Sequence, residues 1–253
     1  MAVLPGAEPL HHDGGPVGVL LCHGFTGCPQ SLRPWAEHLI EAGLSVSLPL
    51  LPGHGTTWQD MNRSRWPDWY AAVDVALTAL RARCETVVVI GLSMGGALAL
   101  RLAEHRGDDV AGLVLVNPAV KLEDPRLKVL PVLRHLLPSL PGVGSDIKKP
   151  GVTELAYDRT PLHALHSMVA MYRQVAADLS SVRQPLLLFH SAEDHVVPAS
   201  SSELILRSVG SDDVTEVICH DSYHVATLDN DADRIFTDSL AFIQRLTTAP
   251  STT

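Results

Sequence analysis

The chain has 253 residues, 46% hydrophobic and 19% charged, and its 28 acidic against 19 basic side chains give a formal net charge of −9. At roughly 100–200 residues per domain this is one large domain, or one domain carrying an insertion, with too much apolar content for a disordered chain. The acidic balance and the lack of any basic run exclude non-specific nucleic-acid binding, which needs Lys and Arg on the phosphates.

His11-His12, beside Gly14-Gly15, reads as a solvated terminus. From there short runs of Val, Leu and Ile alternate with stretches of helical period. Strands are predicted at Val17 to Cys22, Leu44 to Leu48, Thr86 to Gly91, Val110 to Val116, Pro185 to His190 and Val214 to Cys219. Apolar residues at helical spacing fall between them, at Ser31 to Ala42, Trp66 to Arg83, Met94 to Arg106, Ser200 to Val209 and Ala232 to Leu246. Strands that are apolar throughout are buried on both faces, so the pattern predicts an α/β fold with a mostly parallel sheet and helices on each side. The tail after Thr247 is small and polar and reads as frayed.

One interval breaks the alternation. From Ala119 to Asp178 no convincing strand is visible, and the stretch Arg126 to Val143 is rich in Leu and interrupted by Pro131, Pro138 and Pro141. We read 119–178 as a small helical cap inserted between core segments 1–118 and 179–253. Its leucines either complete the core or line an apolar acyl pocket.

No run approaches the roughly 20 apolar residues of a membrane-spanning helix, and the first dozen residues hold no Lys or Arg, so no secretory signal is expected. The expected location is the cytoplasm. Cys22, Cys28, Cys84 and Cys219 are scattered, without the paired spacing of a zinc site, and read as buried free thiols.

Gly91-Leu92-Ser93-Met94-Gly95 falls between a buried strand and a helix, which is the context a G-x-S-x-G elbow requires. The serine sits on a sharp turn where side chains at 91 and 95 would collide, so glycine is needed at both. The helix start beneath it favours developing negative charge. A serine hydroxyl needs a base, and the base needs an acid to orient it. In such sheets both follow the serine in sequence. Asp194, beyond the strand PLLLFH, is preferred over its neighbour Glu193 for its spacing to the turn at Val197-Pro198. Two histidines follow the last strand. His220 is still at the strand end, whereas His224, in the loop Asp221 to Val225, has the reach to return over the sheet.

These motifs resemble the α/β-hydrolase superfamily, of the bacterial carboxylesterase and monoacylglycerol lipase type, over nearly the whole chain. His23-Gly24-Phe25-Thr26-Gly27 resembles its oxyanion loop, Pro52-Gly53-His54-Gly55 the following loop, Pro67-Asp68-Trp69 the start of the helix before the elbow, and Val225-Ala226-Thr227-Leu228-Asp229 the sequence after its catalytic histidine. The resemblance implies a triad of Ser93, Asp194 and His224, and an oxyanion hole from the N–H groups of Phe25 and Met94. Gly24, Gly91, Gly95 and His23 support these, His23 by bracing its loop rather than acting as a base. It further implies hydrolysis of esters with an apolar acyl group, short to medium chain or monoacylglycerol, by a monomer or homodimer with no cofactor and no metal. The same triad serves thioesters, carbon–carbon bonds or perhydrolysis, and the fold also carries non-catalytic receptors, whose mark is a lost triad member. None is lost here.

Two departures stand out. Tyr223 replaces the usual glycine before the histidine, so it is expected to narrow the pocket or supply a hydroxyl. The short N-terminus predicts six or seven strands rather than eight. Of the remaining motifs, His163 and His166 share a cap helix but lack a third metal ligand of recognisable spacing, and Trp58, Trp66, Trp69 and Tyr70 read as core and rim residues.

Overall fold

Seven strands form one sheet in the order β1 (Leu10–His12), β3 (Ser45–Leu48), β2 (Val17–Cys22), β4 (Thr86–Leu92), β5 (Gly112–Val116), β8 (Leu186–Ser191) and β9 (Val214–Cys219), parallel throughout except for β1. The structure is a computed structural model that describes residues 2–142 and 144–248. Val143, the end of the Leu- and Pro-rich stretch, and the tail 249–253 lie outside the described residues.

In chain order the N-terminal half holds β1 (Leu10–His12), β2 (Val17–Cys22), α1 (Arg33–Glu41), β3 (Ser45–Leu48), α2 (Trp58–Met61), α3 (Trp66–Arg81), β4 (Thr86–Leu92), α4 (Met94–Arg106) and β5 (Gly112–Val116). The interval that follows holds α5 (Leu130–Leu136), β6 (Ser139–Pro141), β7 (Arg159–Pro161) and α6 (Leu162–Asp178), and the chain closes with β8 (Leu186–Ser191), α7 (Ala199–Ser208), β9 (Val214–Cys219) and α8 (Ala232–Thr248). The six predicted strands are all present, with ends displaced by at most two residues.

Two expectations are corrected. His11 and His12 form the edge strand β1, antiparallel to β3, with His11 Nδ1 3.1 Å from Ser47 Oγ. Both side chains are exposed, so no apolar alternation advertised the strand. The 119–178 interval does contain strands, a two-stranded antiparallel ribbon of β6 and β7. Each is three residues long and carries a proline, too short to leave a pattern.

The continuous apolar strands explain the layers. Along β4, Val87 and Val89 face one hydrophobic cluster, with α3, α4 and α6, while Val88 and Ile90 face the other, with α1 and α8. Helix α6 buries Ala164, Met171 and Val175 in the first cluster. Helix α5 does not follow it: Val132 and Leu136 are exposed at 66% and 73%.

Candidate active site

The C-terminal end of the parallel sheet carries the site, as open α/β sheets generally arrange it. Ser93 links β4 to α4 with φ 56° and ψ −118°, a left-handed φ that costs a non-glycine residue roughly 1–3 kcal/mol. The surroundings hold it there: the Ser93 N–H donates to Val116 O at 3.0 Å, and its carbonyl accepts the N–H groups of Gly96 (2.9 Å) and Ala119 (3.1 Å). A Cβ on Gly91 would run into the Gly95 carbonyl, and one on Gly95 into the Cys22 carbonyl, as the motif requires.

His224 and Asp194 meet. Nδ1 of His224 lies 2.8 Å from Asp194 Oδ2, so the ring proton sits on Nδ1 and Nε2 is the basic nitrogen. Asp194 Oδ1 accepts the N–H groups of Val196 and Val197, both at 2.8 Å. Burial pushes Asp194 up, but the His224 bond and charge and those two N–H bonds outweigh it and hold it below the usual range. Burial pulls His224 down, yet its bond to Asp194 and the charges of Asp194, Glu154 and Asp146 leave it raised. His220 is exposed at the end of β9, and Glu193 is exposed beside His195.

Ser93 and His224 open onto one cavity of about 470 Å³, within the usual range of about 300–1,000 Å³ for ligand pockets. Leu127, Leu130 and Leu133 line it from the α5 side, with Leu165 and Met168 from α6. Gly24, Phe25 and Thr26 line its floor beside Ser93. Among the described residues, neither the Phe25 nor the Met94 N–H donates to a protein acceptor.

His23 is buried behind that floor. Its Nε2 accepts the Leu51 N–H at 3.2 Å and its Nδ1 donates to the Gly24 carbonyl at 3.0 Å. Burial pulls it down to about 4, against that carbonyl bond, so it is neutral at pH 7 and braces the loop. His54 packs edge-on to His23, and Trp69 edge-on to His54 and Phe25. Trp69 is buried, while Trp58, Trp66 and Tyr70 are half-buried.

Tyr223 departs from expectation. It does not line the cavity. Its ring lies edge-on to His195, 4.7 Å between centroids, with Lys148 Nζ 5.7 Å from its centre, because the backbone that places His224 inward turns the preceding side chain out. His163 and His166 also separate: His163 packs against His135, while His166 Nδ1 accepts from Arg134. Among the described residues no group of three or more His, Cys, Asp and Glu is placed to hold a metal.

Three polar residues at the site carry no motif. Asn117, with φ 44°, donates from Nδ2 to the His224 carbonyl (2.7 Å) and to Ser191 Oγ (3.0 Å), tying the His224 loop to the end of β8. Glu154 projects into the cavity wall, where burial pushes its carboxyl up to about 6 against the pull of His224. Asp146 lies beside the His224 backbone.

A serine on a strained elbow, sharing its cavity with a histidine that is paired to a carboxylate behind it, is a constellation for acyl transfer. The family model described as serine aminopeptidase, S33 (Hydrolase_4) matches residues 17–231. The chain belongs to that family of α/β-hydrolases. This hydrolase is 45% identical to the thermostable monoacylglycerol lipase of Bacillus sp. (strain H-257), over 96% of each chain. It is 24% identical to the carboxylesterase of Bacillus subtilis (strain 168), over 94% of this chain and 97% of that one. A solved structure from work on the metagenome-derived lipolytic enzymes LipS and LipT superposes with a TM-score of 0.94 at 44% identity, covering 96% of this chain and all of that one. Among the described residues no helix is long and apolar enough to cross a membrane.

Proposed function

We propose that this hydrolase cleaves carboxylic esters with an apolar acyl group, monoacylglycerols or short to medium chain esters, through an acyl-enzyme on Ser93. The observation that carries the reading is that His224, paired with Asp194, shares a leucine-walled cavity with Ser93. The 45% identity to a monoacylglycerol lipase supports it.

His224 Nε2 takes the Ser93 proton as Oγ attacks the ester carbonyl carbon, and the Phe25 and Met94 N–H groups meet the oxyanion. Each such donor is worth roughly 3–4 kcal/mol in the transition state. Collapse breaks the bond to the alcohol oxygen, which leaves with the proton from His224. Water, deprotonated by the same histidine, then attacks the acyl carbon and frees the acid and Ser93. The 119–178 interval serves as the cap, its α5 leucines holding the acyl chain. Glu154 accepts hydrogen bonds from hydroxyls of the alcohol, being a carboxylate in the cavity wall close enough to feel the charge of His224. The four cysteines are buried and free, which accords with a reducing compartment such as the cytoplasm.

A substrate panel tests this. Monolauroylglycerol and p-nitrophenyl esters are turned over, while an aminoacyl p-nitroanilide, an acyl thioester and a vinylogous diketone are turned over at least tenfold less efficiently. Faster cleavage of the anilide would replace the ester reading with the peptidase chemistry in the family description.

A further inference from the structure

Asp146 lies between β6 and β7, outside the main sheet and outside the three residues assigned to the triad, yet its carboxylate binds the backbone of one of them, His224, and of the residue that follows another, Asp194. Oδ2 accepts the backbone N–H of His224 at 3.1 Å and that of His195, the residue after Asp194, at 3.2 Å. Oδ1 accepts from the ring Nδ1 of His195 at 2.8 Å, and the Asp146 carbonyl accepts the Val225 N–H at 3.1 Å. One residue therefore spans the acid turn and the base loop, and its side chain is only 12% exposed. On the opposite side Asn117 holds the His224 carbonyl, so the backbone of the base is gripped at both ends of one residue. Asp229 reinforces the join: it accepts the N–H groups of Lys148 and Lys149 (2.7 and 2.8 Å) and of Tyr223 (2.9 Å), fastening the Asp146 segment to the His224 loop from the core side.

We propose that Asp146 is a positioning residue for the reaction: it fixes the register between the Asp194 turn and the His224 loop, and its charge favours the imidazolium formed on His224. The proposal rests on the triad reading above. A carboxylate that accepts two backbone N–H groups sets their spacing to within a few tenths of an ångström, and a general base tolerates little misplacement. The charges facing His224 are those of Asp194, Glu154 and Asp146. Those facing Asp146 are His224 and His195, with Glu193 3.5 Å beyond the His195 ring.

The two roles separate by substitution. D146N keeps an oxygen for the backbone N–H groups but loses the charge, whereas D146A loses both. With p-nitrophenyl butyrate, D146A is expected to lower kcat roughly tenfold to a hundredfold with KM within about threefold of wild type. D146N is expected to move the acid limb of the kcat/KM profile to lower pH, because an imidazole with one fewer neighbouring carboxylate protonates less readily. Thermal melts and stoichiometric fluorophosphonate labelling identify folded protein, and D146N keeps the test open if D146A does not fold. An unmoved acid limb in folded D146N overturns the charge role, and a kcat within about threefold of wild type in folded D146A overturns the positioning role. Failure of the triad reading looks different: Ser93→Ala then retains turnover, whatever the Asp146 variants do.

Discussion

The carboxylate of Asp194 is fully engaged by the two loops it joins, with Oδ2 2.8 Å from His224 Nδ1 and Oδ1 bound to the N–H groups of Val196 and Val197. Asp194 is thus held by its own turn where it meets His224, and the imidazole has one tautomer to adopt. Asp194→Asn would offer that nitrogen an amide N–H and favour the wrong tautomer. We expect kcat to fall by about 10⁴-fold with little loss of folding stability, measured by steady-state kinetics beside a thermal melt.

His224 is raised above its ordinary 6.5, and the proposed role as base requires it to be neutral. With p-nitrophenyl butyrate, whose leaving group offers Glu154 no glycerol hydroxyl, activity is therefore expected to decline as pH falls through a value above 6.5, with kcat/KM following a single protonation. A limb at or below 6.5 would contradict the assigned environment. His224→Ala is expected to abolish turnover at pH 8, while His220→Ala, which alters an exposed strand end, leaves it within about twofold.

Glu154 carries a pH signature of its own. Burial raises its carboxyl from 4.5 to about 6, so the folded state binds this proton more tightly than the unfolded chain does. A raised folded value means that the stability it contributes is present below about 4.5 and is lost as pH rises through about 6. Glu154→Gln removes this titration, so the melting temperature of the variant relative to wild type is expected to increase between pH 4.5 and 7. The same variant is expected to raise KM for monolauroylglycerol about tenfold, and less for methyl laurate, since a hydrogen bond to a charged group is worth about 1.5–3 kcal/mol.

Leu133 lines the cavity from α5, a helix whose outer face meets solvent. Leu133→Trp fills acyl space without disturbing the sheet. The preference measured across p-nitrophenyl esters is expected to shift from medium toward short chains. An unchanged profile would place the acyl group elsewhere.

How much of this was legible beforehand follows the range of each interaction. Strands β2, β4, β5 and β8 announce themselves as apolar runs, and the elbow at Ser93 is written in five consecutive residues. Asp194 and His224 follow from order along the chain. β1 and the β6–β7 ribbon are three-residue strands with no period to read, and β1 exists because β3 offers it an edge. Asp146 and Asn117 reach His224 across 78 and 107 residues, contacts that no local pattern encodes. The Tyr223 ring escapes a local reading for the same reason: its place beside His224 puts it near the site, but the direction it takes depends on His195 and Lys148, from two other segments.

Intact-mass and peptide analysis after reaction with a fluorophosphonate probes the proposed roles of Ser93 as nucleophile and His224 as its base. The expected result is one adduct per chain, on Ser93, absent from Ser93→Ala and strongly slowed in His224→Ala, with ester turnover lost in parallel. An adduct on another residue, or turnover that survives Ser93→Ala, would contradict those roles.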